Sequence, residues 1–488
     1  MAELKPEDMN DIQGFVISGY AHLPCVSYML LRVDDAPATR RWMAQLINEI
    51  TTSEGKELIS CTNVAVTHHG LKRIGLDAET LDSFSRPFIE GMSTPHRSRI
   101  LGDMAENAPE NWDWGGNAES DETKAVDILL LLFGQDEATL DELVNKNRAR
   151  LADGGLKELQ ALGAGRQPDI HEHFGFADGM GQPAIEGTIQ TRDAALRNIV
   201  KAGEFLLGYI NDYGKPADSP TVGANLDQEH LLYDLTEVDA AGKETPANSG
   251  EDRPQKRDLG RNGTYLVFRQ LAQHVAKFCH FLDEATRTLD GQLDPKAGER
   301  LAAKFVGRWQ NGAPLVLSPD VDDPALSKAD DFGYRETDVH GFKCPIGSHV
   351  RRSNPRDTLG PDAATALATA NRHRILRRGR SYGVRPENRR VDDGVPRGLH
   401  FLCLNADIER QFEFVQQTWI NNPVFGGLDG EVDPLVGNLT KGDEIFTVQA
   451  DPLRTRVHNL ERFVTVKGGA YFFLPSLRAL RYLASLSG

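Results

Sequence analysis

The chain has 488 residues, 40% hydrophobic and 26% charged, an ordinary globular composition that excludes collagen, coiled coil and wholesale disorder and leaves room for more than one domain. Lys and Arg number 55 against 71 Asp and Glu, a net charge of −16. That is the wrong sign for following a phosphate backbone, so neither nucleic acid nor an anionic membrane is expected as a partner. Five cysteines without a CxxC read as buried thiols in a reducing compartment. The acidic start MAELKPEDMN lacks the apolar run of a signal peptide, and a cytoplasmic location is expected.

In chain order, residues 16–19 and 26–33 carry strand-forming side chains, and 38–51 has helical spacing through Trp42, Leu46, Ile47 and Ile50. A short strand is predicted at 63–67, a polar surface loop at 104–123, a strand at 125–133 and a helix from 137 to 162. The pattern then recurs: strand 265–268, helix 271–289, strand 398–404, helix 408–420, strand 471–474, helix 476–486. Long irregular tracts at 211–262 and 320–397 lie between these elements, and loops of that length are usually functional. The expectation is an α+β protein of two domains, 1–200 and 201–488, each an antiparallel sheet covered by helices.

Several segments could carry chemistry. Residues 179–184 match GxGxxA, but HEHFGFAD before them supplies no strand of a dinucleotide fold. Gly379 to Gly383 match GxSxG around Ser381, with Asp433 and His458 following in serine-hydrolase order, yet VRPENRRVDDGVPRG cannot form the helix that motif needs. The pairs His68-His69 and His171-Glu172-His173 lack the further ligands of a zinc site. Asp178, in GFADG, is either turn chemistry or a carboxylate in a partly apolar pocket, fitted for proton transfer. His349, in GSHVRRSNPR, stands with three arginines. The segment is either a basic surface loop or an axial ligand beside guanidiniums that bind an anionic cofactor such as haem.

Taken together, HFGFADGMGQP (173–183) and GSHVRRSNPR (347–356) resemble the dye-decolourising peroxidases. DIQGFVISGY, NVAVTHHGLKRIGL, GTYLVFRQLAQHVAKF, ILRRGRSYG and GLHFLCLNADIERQFEFVQQTW extend the likeness in the family's order from residue 11 to about residue 420. The length is that of the family's larger members, here without an export signal. The resemblance implies two ferredoxin-like domains with haem b held mainly by the second. It also implies oxidation of bulky aromatic substrates, such as dyes and phenolics, by hydrogen peroxide through a ferryl intermediate.

Residue by residue, the resemblance makes Asp178 the catalytic aspartate and His349 the ligand of the haem iron. Arg377 becomes the catalytic arginine, with its neighbour Arg378 as the alternative, and Arg356 a propionate-binding arginine. Leu399 and Phe401, two apart on one strand face, line the peroxide side. Asp433 is the acceptor for the His349 Nδ1 proton. The five tryptophans and ten tyrosines are candidate electron relays, with core packing as the competing account. Two readings from other classes stand beside this one: a haem carrier with little turnover, and a serine hydrolase using Ser381.

Overall fold

A computed structural model describes residues 4–54, 58–116, 121–167, 169–238, 244–246, 255–439 and 442–486. The first half begins with β1 (Cys25–Val33), then α1 (Ala36–Leu46), β2 (Ser60–Val66), β3 (Ile128–Gly134), α2 (Glu137–Leu151) and β4 (Leu156–Gly165). Its strands pair antiparallel in the order β4-β1-β3-β2. This βαββαβ order is that of a ferredoxin-like unit.

The second half repeats it. Strand β5 (Thr264–Gln273) leads through α3 (Val275–Ala285) and α4 (Pro295–Val306) to α5 (His349–Ser353). Then come β6 (Leu376–Arg377), β7 (Arg380–Tyr382), β8 (Gly398–Asn405), π-helical turns at Glu409–Glu413 and Val415–Ile420, β9 (Val464–Leu474) and α6 (Leu477–Ser485). Here the order is β9-β5-β8-β7. The halves join edge to edge through Val66 opposite Phe473 and Ser381 opposite Gly165. With β5 also paired to β8, the sheet closes on itself.

Closure explains why the strands are apolar on both faces. Tyr28 of β1, Phe268 of β5 and His400 of β8 meet inside, with ring centroids 5.2–5.6 Å apart. Leu131, Phe133, Leu402 and Phe472 fill the same interior. The alternate residues, such as Met29, Leu130 and Leu132, pack outward with α1 and α6. By the period of two, the neighbours of His400, Leu399 and Phe401, point to the outer face of β8, where the cavity lies.

Several expectations are corrected. The predicted helix 137–162 ends at Leu151, and Leu156–Gly165 is an edge strand of the first half. Gly155, at φ +59°, breaks the helix, and pairing with β1 overrides the helical preference of KELQAL. Residues 16–19 are not a strand; Gly14–Ile17 is a helical turn. The predicted helix 271–289 starts only at Val275, because β5 runs on to Gln273. The predicted polar surface loop at 104–123 buries Trp112 and Trp114. Among the described residues, no helix is long and apolar enough to cross a membrane.

Candidate active site

Between β5, β8 and α5 lies a cavity of about 320 Å³. Its walls are mainly apolar, with Leu271, Leu399, Phe401, Phe412 and Ile420 among them.

His349 enters from the N-terminal end of α5. Its Nδ1 donates to Asp433 Oδ2 at 2.9 Å, which leaves Nε2 as the nitrogen able to bind a metal. Asp433 is 0% exposed, and its Oδ1 accepts from the backbone N–H groups of Leu435 and Val436, both at 2.9 Å. Burial alone would push its carboxyl up. His349, the Val436 N–H and Arg352 outweigh burial and hold it below the usual carboxylate range.

The two arginines that follow His349 turn away from the cavity. Arg351 pairs with Asp338 at 3.0 Å. Arg352 is wholly buried and donates to the carbonyls of Trp419, Asn422 and Glu431 at 2.6–3.0 Å. They fix α5 and with it the imidazole. Only Arg356 of the three faces the cavity. It stacks 3.8 Å over Phe332 and donates to Asp330 Oδ1 (2.5 Å) and to the carbonyls of Asp330 and Phe332. Nε and one Nη2 hydrogen have no acceptor among the described residues.

Asp178 sits at the end of a small hairpin, with its N–H bonded to Ile170 O at 3.0 Å and that of Ala177 to Gln310 O at 2.8 Å. Glycines at φ +96°, +87° and +71° (Gly175, Gly179, Gly181) supply the turns around it. Arg377 holds the next turn by donating to Met180 O at 2.6 Å, and its Nη1 lies 3.6 Å from Asp178 Oδ1. Arg378 points elsewhere, to the carbonyls of Phe15, Val16 and Ile17. The structure thus brings Asp178, His349, Arg356, Arg377, Leu399 and Phe401 to one cavity, with Asp433 behind the histidine.

The hydrolase constellation is not assembled. Ser381 lies in β7 without a helix after it, and Asp433 is bonded to His349 while His458 is exposed. Nor does a nucleotide-binding helix follow residues 179–184, where Ala184–Ile185 is a short strand.

Sequence reasoning gave no individual role in this site to Glu172, Asp330 or Arg374. Buried Glu172 accepts from the N–H groups of Phe174 and Phe176 and from Gln273 Nε2 at 2.6–2.9 Å, and so braces the hairpin that carries Asp178. Asp330 takes a second guanidinium, Arg308, at 3.0 Å. Arg374, three residues before Arg377, lines the same cavity. Its place beside the ILRRG motif was the one local signal.

No family model matches the chain. Full-length relatives do. A dye-decolorizing peroxidase of Mycena epipterygia is 29% identical over 98% of this chain and 87% of its own. The multifunctional dye peroxidase DyP2 of an Amycolatopsis species is 29% identical over 86% and 81%. An ancestral D-type dye-decolorizing peroxidase superposes with a TM-score of 0.75 at 27% identity, over 98% of this chain and 99% of its own. Over nearly its whole length the chain is similar to dye-decolourising peroxidases.

A dye-decolourising peroxidase is a haem enzyme, and the cavity suits an iron porphyrin. An imidazole with Nε2 free stands below, apolar walls match the macrocycle's faces, and guanidiniums with spare donors match its carboxylates. All five tryptophans are buried, and Trp309 alone among them lines the cavity.

Proposed function

We propose that the protein is a haem b peroxidase that reduces hydrogen peroxide and draws the electrons from aromatic reductants such as dyes and phenols. One observation carries this reading. A carboxylate-backed imidazole, His349 with Asp433, shares a cavity with a carboxylate and a guanidinium, Asp178 and Arg377, that stand together 3.6 Å apart.

His349 Nε2 would ligate the iron, and Arg356 would take a porphyrin carboxylate with its remaining donors. Bound haem supplies the electrons that cleave the O–O bond. The protein's own groups do the rest. Asp433 accepts the Nδ1 proton and makes the imidazole a stronger electron donor to the metal. Asp178 takes the proton from one peroxide oxygen and returns it to the other, the work of a positioned general acid–base. Arg377 stays protonated and stabilises the negative charge that develops on the departing oxygen. Leu399 and Phe401 shape the wall beside them and exclude water. A pure carrier would need His349 but neither Asp178 nor Arg377. The five unpaired thiols, three of them buried, support a reducing compartment.

The test is the visible spectrum of the haem-loaded protein before and after one equivalent of hydrogen peroxide. A histidine-ligated ferric spectrum should convert rapidly and revert when a phenol is added, and His349→Ala should abolish both. Haem binding with no response to peroxide would favour the carrier.

A further inference from the structure

Five guanidiniums line the cavity: Arg269, Arg308, Arg356, Arg374 and Arg377. Four are matched from within, Arg269 by an ion pair with Asp103. Arg377 faces Asp178 and donates to Met180 O. Arg308 and Arg356 share Oδ1 of Asp330, at 3.0 and 2.5 Å, and spend further donors on main-chain carbonyls. Arg374 differs. It is 6% exposed, and its one hydrogen bond among the described residues runs from Nη2 to Gly181 O at 3.1 Å. Four of its five N–H donors have no protein acceptor there.

The surrounding charges do not compensate it. Arg356 and Arg377 repel it, and Asp330, already shared by two other guanidiniums, is the one carboxylate that acts in its favour. Burial pushes its guanidinium down to about 10, so it remains charged at neutral pH. A buried cation without a counterion is strongly unfavourable. A planar fork of free donors is the geometry that takes a carboxylate in two parallel hydrogen bonds.

We propose that Arg374 holds a carboxylate of the porphyrin and selects the acidic cofactor over an uncharged one. This rests on the haem reading given above. Arg374 and Arg377 also grip adjacent carbonyls, Gly181 and Met180, of the turn that follows Asp178. Seating the carboxylate therefore steadies the segment that carries the peroxide-side groups.

The full chain is loaded with haem or with haem dimethyl ester, and the rate of loss of each to excess apomyoglobin is measured. Wild type should lose the ester at least ~10-fold faster than haem. Arg374→Met should shrink that ratio about tenfold, mainly through faster loss of haem, while Arg374→Lys keeps most of it. Melting gives a second readout. Arg374→Met should raise the Tm of the haem-free chain, by removing the uncompensated charge, and lower that of the loaded one. An unchanged acid-to-ester ratio in Arg374→Met overturns the proposal. So does a fall of both Tm values, which would mean that Arg374 only braces Gly181. If Arg374→Met does not fold, an acid-to-ester ratio of one in wild type and Arg374→Lys overturns it equally. Wild type that takes up neither porphyrin would sink the haem reading itself.

Discussion

Asp178, in the cavity wall, and Asp433, behind the cavity's histidine, are built in opposite ways. Asp433 is closed off from water and takes one donor from His349 and two from the main chain. The Asp178 side chain is 41% exposed, accepts from the N–H of Gly179 at 2.6 Å, and has its cation 3.6 Å away on a side chain 36% exposed itself. The contrast suits the work proposed above for each side. A metal ligand loses its function when it moves, so its hydrogen bonds are all made in advance. A proton carrier must change partners, so its contacts are few and loose.

The largest effect should come from breaking the closed side. Asp433→Ala leaves three N–H groups without their acceptor, and removal of one partner of a buried pair costs about 3–5 kcal/mol. We expect a large fall in Tm and loss of bound haem, measured by melting and by haem content. Asp433→Asn keeps the shape and an oxygen acceptor, and should lose less of both. Equal stability of Asp433→Ala and wild type would refute the account of this side.

Breaking the open side should cost rate instead of stability. Arg377→Leu is expected to slow the reaction with peroxide by ~10²–10³-fold, and Asp178→Asn by ~10²–10⁴-fold. Haem content should stay at the wild-type level in both, and stability within about 1 kcal/mol, because the pair is half exposed. Stopped-flow mixing with peroxide checks the first expectation and melting the second. Haem loss in either variant would erase the distinction between the sides.

Acidity sharpens the comparison through Asp433 and Glu172, which have opposite signs. Asp433 is held below the ordinary carboxylate range, so its contribution is complete above the unfolded value of about 4 and is lost as pH falls through the folded value. Glu172, in the hairpin behind Asp178, is displaced upward: burial outweighs the donors Gln273, Phe176 and Phe174. Its contribution is complete below the unfolded value near 4.3 and is lost as pH rises through the folded one. Urea unfolding from pH 3 to 8 should therefore show Glu172→Gln with less loss on the alkaline side than wild type. Asp433→Asn should show less loss on the acid side.

The parts that were legible in the sequence are those whose signal is local. The apolar runs at 26–33 and 125–133 announce β1 and β3, and His349 and Asp178 stand in short motifs of unusual composition. β4 was not legible because LKELQALGAG has helical preferences and becomes a strand only by pairing with β1. Two tryptophans hid in a polar tract for a similar reason: Trp114 Nε1 bonds Gln270, 156 residues away. The roles of Glu172 and Arg374 were not legible because the groups that define them, Gln273 and Gly181, lie 101 and 193 residues distant. The match of Arg351 and Arg352 to an anionic cofactor failed because both spend their donors on the frame of α5.

The smallest expected effect probes how firmly the open side is held. Gly175 lies at φ +96°, and a Cβ there would run into Nη1 of Arg389, which donates to Phe174 O at 2.8 Å. Nη1 is the end of a flexible side chain and can swing away, so Gly175→Ala has two separable costs: backbone strain of about 1–3 kcal/mol and loss of the Arg389 bond. Arg389→Ala alone should cost about 1 kcal/mol or less. In the double variant the steric conflict disappears and the bond is lost only once, so its destabilisation should fall short of the sum of the singles. Urea unfolding of the four proteins measures that shortfall. An additive cycle would mean that Arg389 does not touch the turn, and that Gly175 is required by the backbone alone.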